Sequence, residues 1–157
     1  MLDNEEMAYH ENYLEGWNSY DPETVVAQFA EGGTYVDPNV EEPLEDAEIG
    51  EYVVGIMNGF LDFRFEQRRL LMTNEEGVLV EEWIMHGTHS GSLDGLPPTG
   101  NRIALDGISI VTISDDGITS IEGYFDQESF AEQLGLTFPA IIGQLPTLAV
   151  EAVKEAL

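Results

Sequence analysis

The spacing of apolar residues changes once along the chain, near Asp62. Before it the period is helical; after it, residues alternate. Met7, Leu14 and Trp17 recur near helical spacing, with Tyr13 beside them and acidic residues opposite, which predicts a helix from Asn4 to about Tyr20. Asp21-Pro22 predicts a second helix start, with Asp as cap and Pro at the first helical position. Val25, Val26 and Phe29 give its stripe, and Gly32-Gly33 its expected end. Thr34 to Asp37 reads as a short strand stopped by Pro38. A third helix is expected from about Leu44 to Gly59, on a stripe containing Ile49, Tyr52, Val53, Ile56 and Met57.

Strands follow. Phe63, Phe65 and Gln67 alternate with Arg64, Glu66 and Arg68 in a run expected from Asp62 to Thr73, closed by the turn Asn74–Gly77. Val78 to Thr88 is a long strand with large apolar groups on both faces, which suggests a core or cavity on one side and cover on the other. Arg102 to Ile113 and Ile118 to Phe125 are two further strands, joined as a hairpin through Ser114–Gly117. A short helix is expected from Gln127 to Leu134, ended by Gly135. The apolar tail after Phe138 is helix-like from Pro146 to Leu157. Helices first and long strands after predict an α+β domain in which a curved antiparallel sheet wraps the N-terminal helices and leaves a pocket at its open end. One domain over residues 1–136 is expected, with 137–157 a helical extension packed on that domain or on a partner subunit.

Composition narrows the partners. The chain has 157 residues, with 31 Asp and Glu against 5 Lys and Arg, a formal net charge of −26. Self-repulsion at low salt opposes compactness, and molar salt screens it. Acidic excess with a single lysine, Lys154, resembles proteins of salt-accumulating halophiles. Nucleic acid and anionic membranes are not expected as partners, because so acidic a chain offers little to neutralise phosphates. No apolar run is long enough to span a membrane, the acidic N-terminus has no signal-peptide pattern, and there is no cysteine; the cytoplasm is the expected location.

Two stretches carry candidate chemistry, His86–Gly100 and Tyr124–Gly135. His86 and His89 stand three apart, so a regular strand points them to opposite faces, and no third ligand accompanies them; no metal site is expected. His86 reads as structural, and His89 as either structural or pocket-lining. Gly95-Leu96-Pro97-Pro98-Thr99-Gly100 is a stiff loop, either a plain connection or a pocket rim. Asp126 has two readings. Among aromatic groups, with Tyr124 two residues before, it suits proton transfer. As the residue before Gln127, it suits an N-cap. Tyr35 and Asp37 share one strand face, so one of them reaches the pocket, and Trp83 reads mainly as core. The arginines Arg64, Arg68 and Arg69 are expected to pair with carboxylates such as Glu66, Glu81 or Glu82.

Trp83, Gly87-Thr88-His89-Ser90-Gly91, Gly95–Gly100, Asp116-Gly117-Ile118, Tyr124-Phe125-Asp126-Gln127 and Gln133-Leu134-Gly135, taken in order, resemble the SnoaL-like polyketide cyclases, also called ester cyclases. The resemblance runs from about Asn4 to Leu136. It implies a cone-shaped nuclear-transport-factor-2-like fold, a cystatin-like α+β barrel. It also implies intramolecular aldol ring closure without metal or cofactor, on a small apolar carbonyl compound in a homodimer or larger assembly. By that resemblance Asp126 is the acid/base. His89, Tyr124, Trp83, Tyr35 and Asp37 are the expected substrate contacts, with His89 or Tyr124 as oxyanion donor. An isomerase, a dehydratase or a non-catalytic ligand-binding module are the alternatives. Asp126 facing an open apolar cavity favours an enzyme; Asp126 turned outward as a cap favours the module.

Overall fold

The computed structural model describes residues 1–137 and, beyond them, positions 145, 146, 150 and 154. The expected helical extension over 137–157 lies almost wholly outside the described residues. Among the described residues, four helices and six strands follow in the order α1 (Asn4–Asn18), α2 (Pro22–Ala27), β1 (Phe29–Val36), β2 (Leu44–Glu45), α3 (Ala47–Gly59), β3 (Arg64–Met72), β4 (Val78–Thr88), β5 (Arg102–Ser114), β6 (Gly117–Phe125) and α4 (Gln127–Gln133). The strands form one open, curved sheet in the order β2-β1-β6-β5-β4-β3, and the fold is the expected α+β class.

Local chemistry explains most boundaries. Asp3 caps α1 by accepting from the backbone N–H groups of Glu5 and Glu6, while Glu6 accepts from the Asp3 N–H. Asp21 accepts from the N–H and hydroxyl of Thr24, and Pro22 opens α2. Two expectations at this end need correcting. Helix α2 stops at Ala27, and Phe29 through Gly33 belong to β1. Phe29 aligns with Ile118 of β6, and sheet pairing outweighs the helical stripe. The register shift between Phe29 and Thr34 absorbs Gly32, whose φ is +74°. Leu44 and Glu45 likewise leave the expected helix to pair with Tyr35 and Thr34 as β2. The β1–β6 pairing is parallel, because β1 enters from the helical half of the chain beside the last strand; the other four pairings are antiparallel.

The buried side chains lie between the concave face of the sheet and the helices. Val25, Ile49, Val53 and Phe60 come from the helical half and pack in one core with Leu79, Val111, Ile118 and Ile121. Along β4 burial alternates strictly, with Leu79, Glu81, Trp83 and Met85 all facing inward. Trp83 lies opposite Gly107, where an added Cβ would come within 2.1 Å of the indole ring; the glycine is what lets the ring lie across β5.

Candidate active site

A small cavity is enclosed between α1, α3 and the concave face of the sheet. It leaves about 40 Å³ of water-accessible space, room for about three waters. Tyr52, Ile56, Phe130 and Asn39 line it and also line an outer vestibule of about 640 Å³. The two spaces therefore meet at these four side chains. Leu93, Asp94 and Leu96 edge the vestibule, so the stiff loop contributes to the rim through Leu96.

Asp37 is a carboxylate on the wall of the inner cavity. It directly follows β1, which ends at Val36, and is 5% exposed. Its Oδ2 accepts the hydroxyl of Tyr35 at 2.8 Å and also that of Tyr52, while the backbone N–H of Asn39 donates to Oδ1 at 2.7 Å. The two phenol rings are 5.3 Å apart. Burial first, and then the neighbouring Tyr52 phenol and Asp37 carboxylate for Tyr35 and the Asp37 carboxylate for Tyr52, push both hydroxyls well above the usual tyrosine range, so they stay protonated at neutral pH. Tyr13 on α1 is raised in the same way by burial, with Glu81 and Asp37 adding to it. The nearby indole N–H of Trp17 partly offsets that shift, although this N–H reaches no acceptor at hydrogen-bond distance.

Glu81 is the second carboxylate of the cavity and is 2% exposed. His10 Nε2 lies 3.0 Å from its Oε2, and the Gln67 amide donates to Oε1 at 3.1 Å. The sequence reading missed His10, and it assigned Glu81 to the arginines. Arg68 pairs with Glu66 and Arg69 with Glu82, as expected, while Glu81 meets His10 and Gln67 instead. The signals were present. Glu81 has the parity of Leu79, Trp83 and Met85, and His10 shares the helical face of Tyr13 and Trp17.

The expected site residues divide. Trp83, Tyr35 and Asp37 line the cavity together. Trp83 also donates its N–H to the Ser109 hydroxyl at 2.9 Å. Asp126, His89 and Tyr124 are not among the lining residues of either space. Asp126 is exposed, and its Oδ1 accepts the N–H groups of Glu128 and Ser129, so it caps α4. That is the outward arrangement set down above for a ligand-binding module. Tyr124 is 54% exposed, and its hydroxyl turns to Glu122 on the outer face. Alternation along β6 sends Gly123 and Phe125 inward and Tyr124 outward, away from the cavity.

His89 is fully buried beside Phe60, with ring centroids 5.6 Å apart. Its Nδ1 accepts the Thr99 N–H at 3.2 Å, which leaves the proton of the neutral ring on Nε2, without a partner. It secures the proline loop, and burial holds its imidazolium below the usual range. His86, half-buried, meets Glu66 at 2.7 Å. The two histidines thus make separate contacts.

Several comparisons bear on kinship. A family model described as SnoaL-like domain matches residues 10–121. A search of curated proteins finds no match. Among solved structures, TsrD from Streptomyces laurentii superposes with a TM-score of 0.73 at 20% identity, covering 87% of this chain and 100% of TsrD. AclR from Streptomyces galilaeus, provisionally described as a hydroxylase, gives 0.72 at 17% identity, covering 85% of this chain and 97% of AclR. TerC, co-crystallised with polyporic acid, gives 0.67 at 16% identity, covering 83% of this chain and 98% of TerC. At these identities the structural likeness establishes the fold alone.

Proposed function

The chain belongs to the SnoaL-like domain family, and on that premise we propose that it is a polyketide-cyclase-type enzyme. It closes a ring on a small apolar carbonyl compound by cofactor-free acid/base chemistry, with Asp37 rather than Asp126 moving the proton. The observation that carries this is the buried Asp37 carboxylate on the wall of the inner cavity, held by Tyr35, Tyr52 and the Asn39 N–H, of which residues Tyr52 and Asn39 also line the vestibule. Three donors fix its orientation and leave acceptor sites over.

In this reading Asp37 removes a proton from a carbon next to the substrate carbonyl, giving an enolate. The enolate carbon attacks a second carbonyl of the same molecule, and the protonated Asp37 returns its proton to the new alkoxide. The Tyr13 hydroxyl and the unpartnered Trp17 N–H, both on the cavity wall, stabilise the oxyanion. An isomerase or dehydratase would use the same carboxylate on another substrate. Substrate entry displaces Phe130 or its neighbours, since the inner space is small.

That small volume favours one second reading, a ligand-binding module without turnover. TerC's co-crystallisation with polyporic acid supports ligand holding on this fold. Exchange of solvent deuterium into the α-position of beta-tetralone, followed by proton NMR, separates the two. The enzyme accelerates exchange and Asp37→Asn abolishes the acceleration. Binding of the ketone with no accelerated exchange leaves the module.

The functional unit in this proposal is one cytoplasmic SnoaL-like domain over residues 1–136, assembled as a homodimer. Ile108 and Tyr124 are exposed and directly opposite each other on the outer sheet face, which supports pairing through that face. Light scattering in molar potassium chloride reads the assembly: a dimer mass that Tyr124→Glu reduces to a monomer agrees, and an unchanged mass does not.

A further inference from the structure

Asp37 opens a tight turn. Pro38 follows, with its φ locked by the ring, and the Val40 N–H closes the turn onto the Asp37 carbonyl at 3.2 Å. The Asp37 side chain uses the same turn, because its Oδ1 accepts the Asn39 N–H at 2.7 Å. One oxygen of the carboxylate is therefore set by the turn, and the other by the two phenols.

The turn in its own right is tied to α4. The side-chain amide of Gln127, the first residue of α4, donates to the Pro38 carbonyl at 2.6 Å and to the Asn39 Oδ1 at 3.3 Å. Both of its N–H groups are thus engaged, on two successive residues of the turn. The far end of α4 is tied in the same manner. Gln133 Oε1 accepts the Ala104 N–H at 2.7 Å, and the Gln133 carbonyl accepts the Asn101 amide at 3.1 Å. No residue of α4 is fully buried, so side-chain amides at both ends fix its place, with the half-buried Phe130 between them. The stretch Tyr124–Gly135 that stands out in the sequence thus supplies a cap, Asp126, and two ties, Gln127 and Gln133.

We propose that Gln127 is a positioning residue for Asp37. It holds the Pro38–Asn39 corner, the corner keeps the Asn39 N–H on Oδ1, and that contact fixes the plane of the carboxylate. A misplacement of about 1 Å can cost a catalytic group about a hundredfold in rate. The Gln127 amide therefore acts on turnover through two intervening contacts, without touching the reacting atoms. The role in turnover rests on Asp37 being the working base, as proposed above; the tie between α4 and the turn does not.

The test separates these two links, and it separates turnover from binding, because Gln127 also lines the vestibule. Gln127→Met keeps the length and removes both donors. Gln127→Lys restores a donor of similar reach. Both are compared with the parent in molar potassium chloride. By NMR, solvent exchange of the Asn39 amide is expected to be about tenfold faster in Gln127→Met and within about twofold of the parent in Gln127→Lys, the effect of losing and regaining the two bonds. The Leu134 amide, bonded to the Phe130 carbonyl, is expected to keep its parent rate in both, since α4 stays folded. In deuterium exchange of beta-tetralone, kcat is expected to fall about tenfold in Gln127→Met and to return in Gln127→Lys, with KM held within about twofold. Unchanged Asn39 exchange in Gln127→Met, equal acceleration in both variants, or faster exchange at Leu134 as well overturns the proposal. A rise in KM with kcat unchanged also overturns it, and makes Gln127 a lining residue only. A parent protein that does not accelerate ketone exchange brings down the Asp37 reading instead, and the Asn39 amide still decides whether Gln127 holds the turn.

Discussion

The hydroxyl of Tyr52, on α3, donates to the carboxylate of Asp37, at the end of β1. This contact joins the helical half of the chain to the sheet at the mouth of the cavity. Tyr52→Phe removes one donor from a buried carboxylate and leaves Tyr35 and the Asn39 N–H in place. The expected cost is about 1.5–3 kcal/mol of stability, the value of a hydrogen bond to a charged group. Urea denaturation measures it, and a loss under about 0.5 kcal/mol would show that the Asp37 cluster does not need Tyr52.

Phe130 stands between the cavity and the vestibule, with its ring 6.4 Å from Phe60 and 5.9 Å from Phe125. Phe130→Ala joins the two spaces. Stopped-flow quenching of the tryptophans by an apolar phenol is expected to speed up about tenfold or more, since no side chain has then to move aside. The half-buried ring limits the stability loss to below the about 3–5 kcal/mol of a fully buried one. Unchanged association rates would place the entrance elsewhere.

Burial lowers the His89 pKa from its ordinary value of 6.5. The unfolded chain then binds more protons than the folded one at pH values between the two pKa values. The contribution of neutral His89 to stability is fully present above pH 6.5 and is lost as pH falls from there toward the folded pKa. Many carboxylates titrate lower, so the test compares variants. His89→Gln is expected to show a flatter dependence of unfolding free energy on pH over about pH 5–7 than the parent. Nitrogen-detected NMR is expected to find the proton on Nε2, as the Thr99 N–H contact requires. A proton on Nδ1, or parallel pH profiles, would contradict this.

The net charge of −26 sits on a chain with 5 basic residues. Raising potassium chloride from about 0.1 M to 1 M shortens the Debye length from about 10 Å to 3 Å and screens the repulsion. The melting temperature is expected to rise by about 5–10 °C, corresponding to roughly 2–3 kcal/mol. Differential scanning calorimetry in chloride measures it. A flat or falling melting temperature would remove the halophilic reading of the composition.

The fold was readable from the change of apolar period at Asp62, and β4 was read at its full extent, Val78–Thr88, because a long apolar-rich run follows the turn at Asn74–Gly77. The reading failed where pairing partners distant in sequence decide the structure. Phe29 and Leu44 have helical neighbours, and only β6 and β1 make them strands. The candidate site was legible in part. Tyr35, Asp37 and Trp83 follow from parity along their strands. Asp126 stood out by motif, but its position before α4 already suits the capping role it takes. Glu81 and His10 were hidden by their types: a carboxylate and a histidine in so acidic a chain read as surface, and only parity against Leu79, Trp83 and Tyr13 brings them inside.

In the proposed reaction the working carboxylate is the buried one in the cavity. The most direct measurement sets Asp37→Asn and Asp126→Asn side by side in deuterium exchange at the α-carbon of beta-tetralone, each corrected for the rate without protein. Exchange is expected to be accelerated by the parent protein, retained within about twofold by Asp126→Asn, and reduced about a hundredfold or more by Asp37→Asn. Retention by Asp37→Asn together with loss in Asp126→Asn would contradict it.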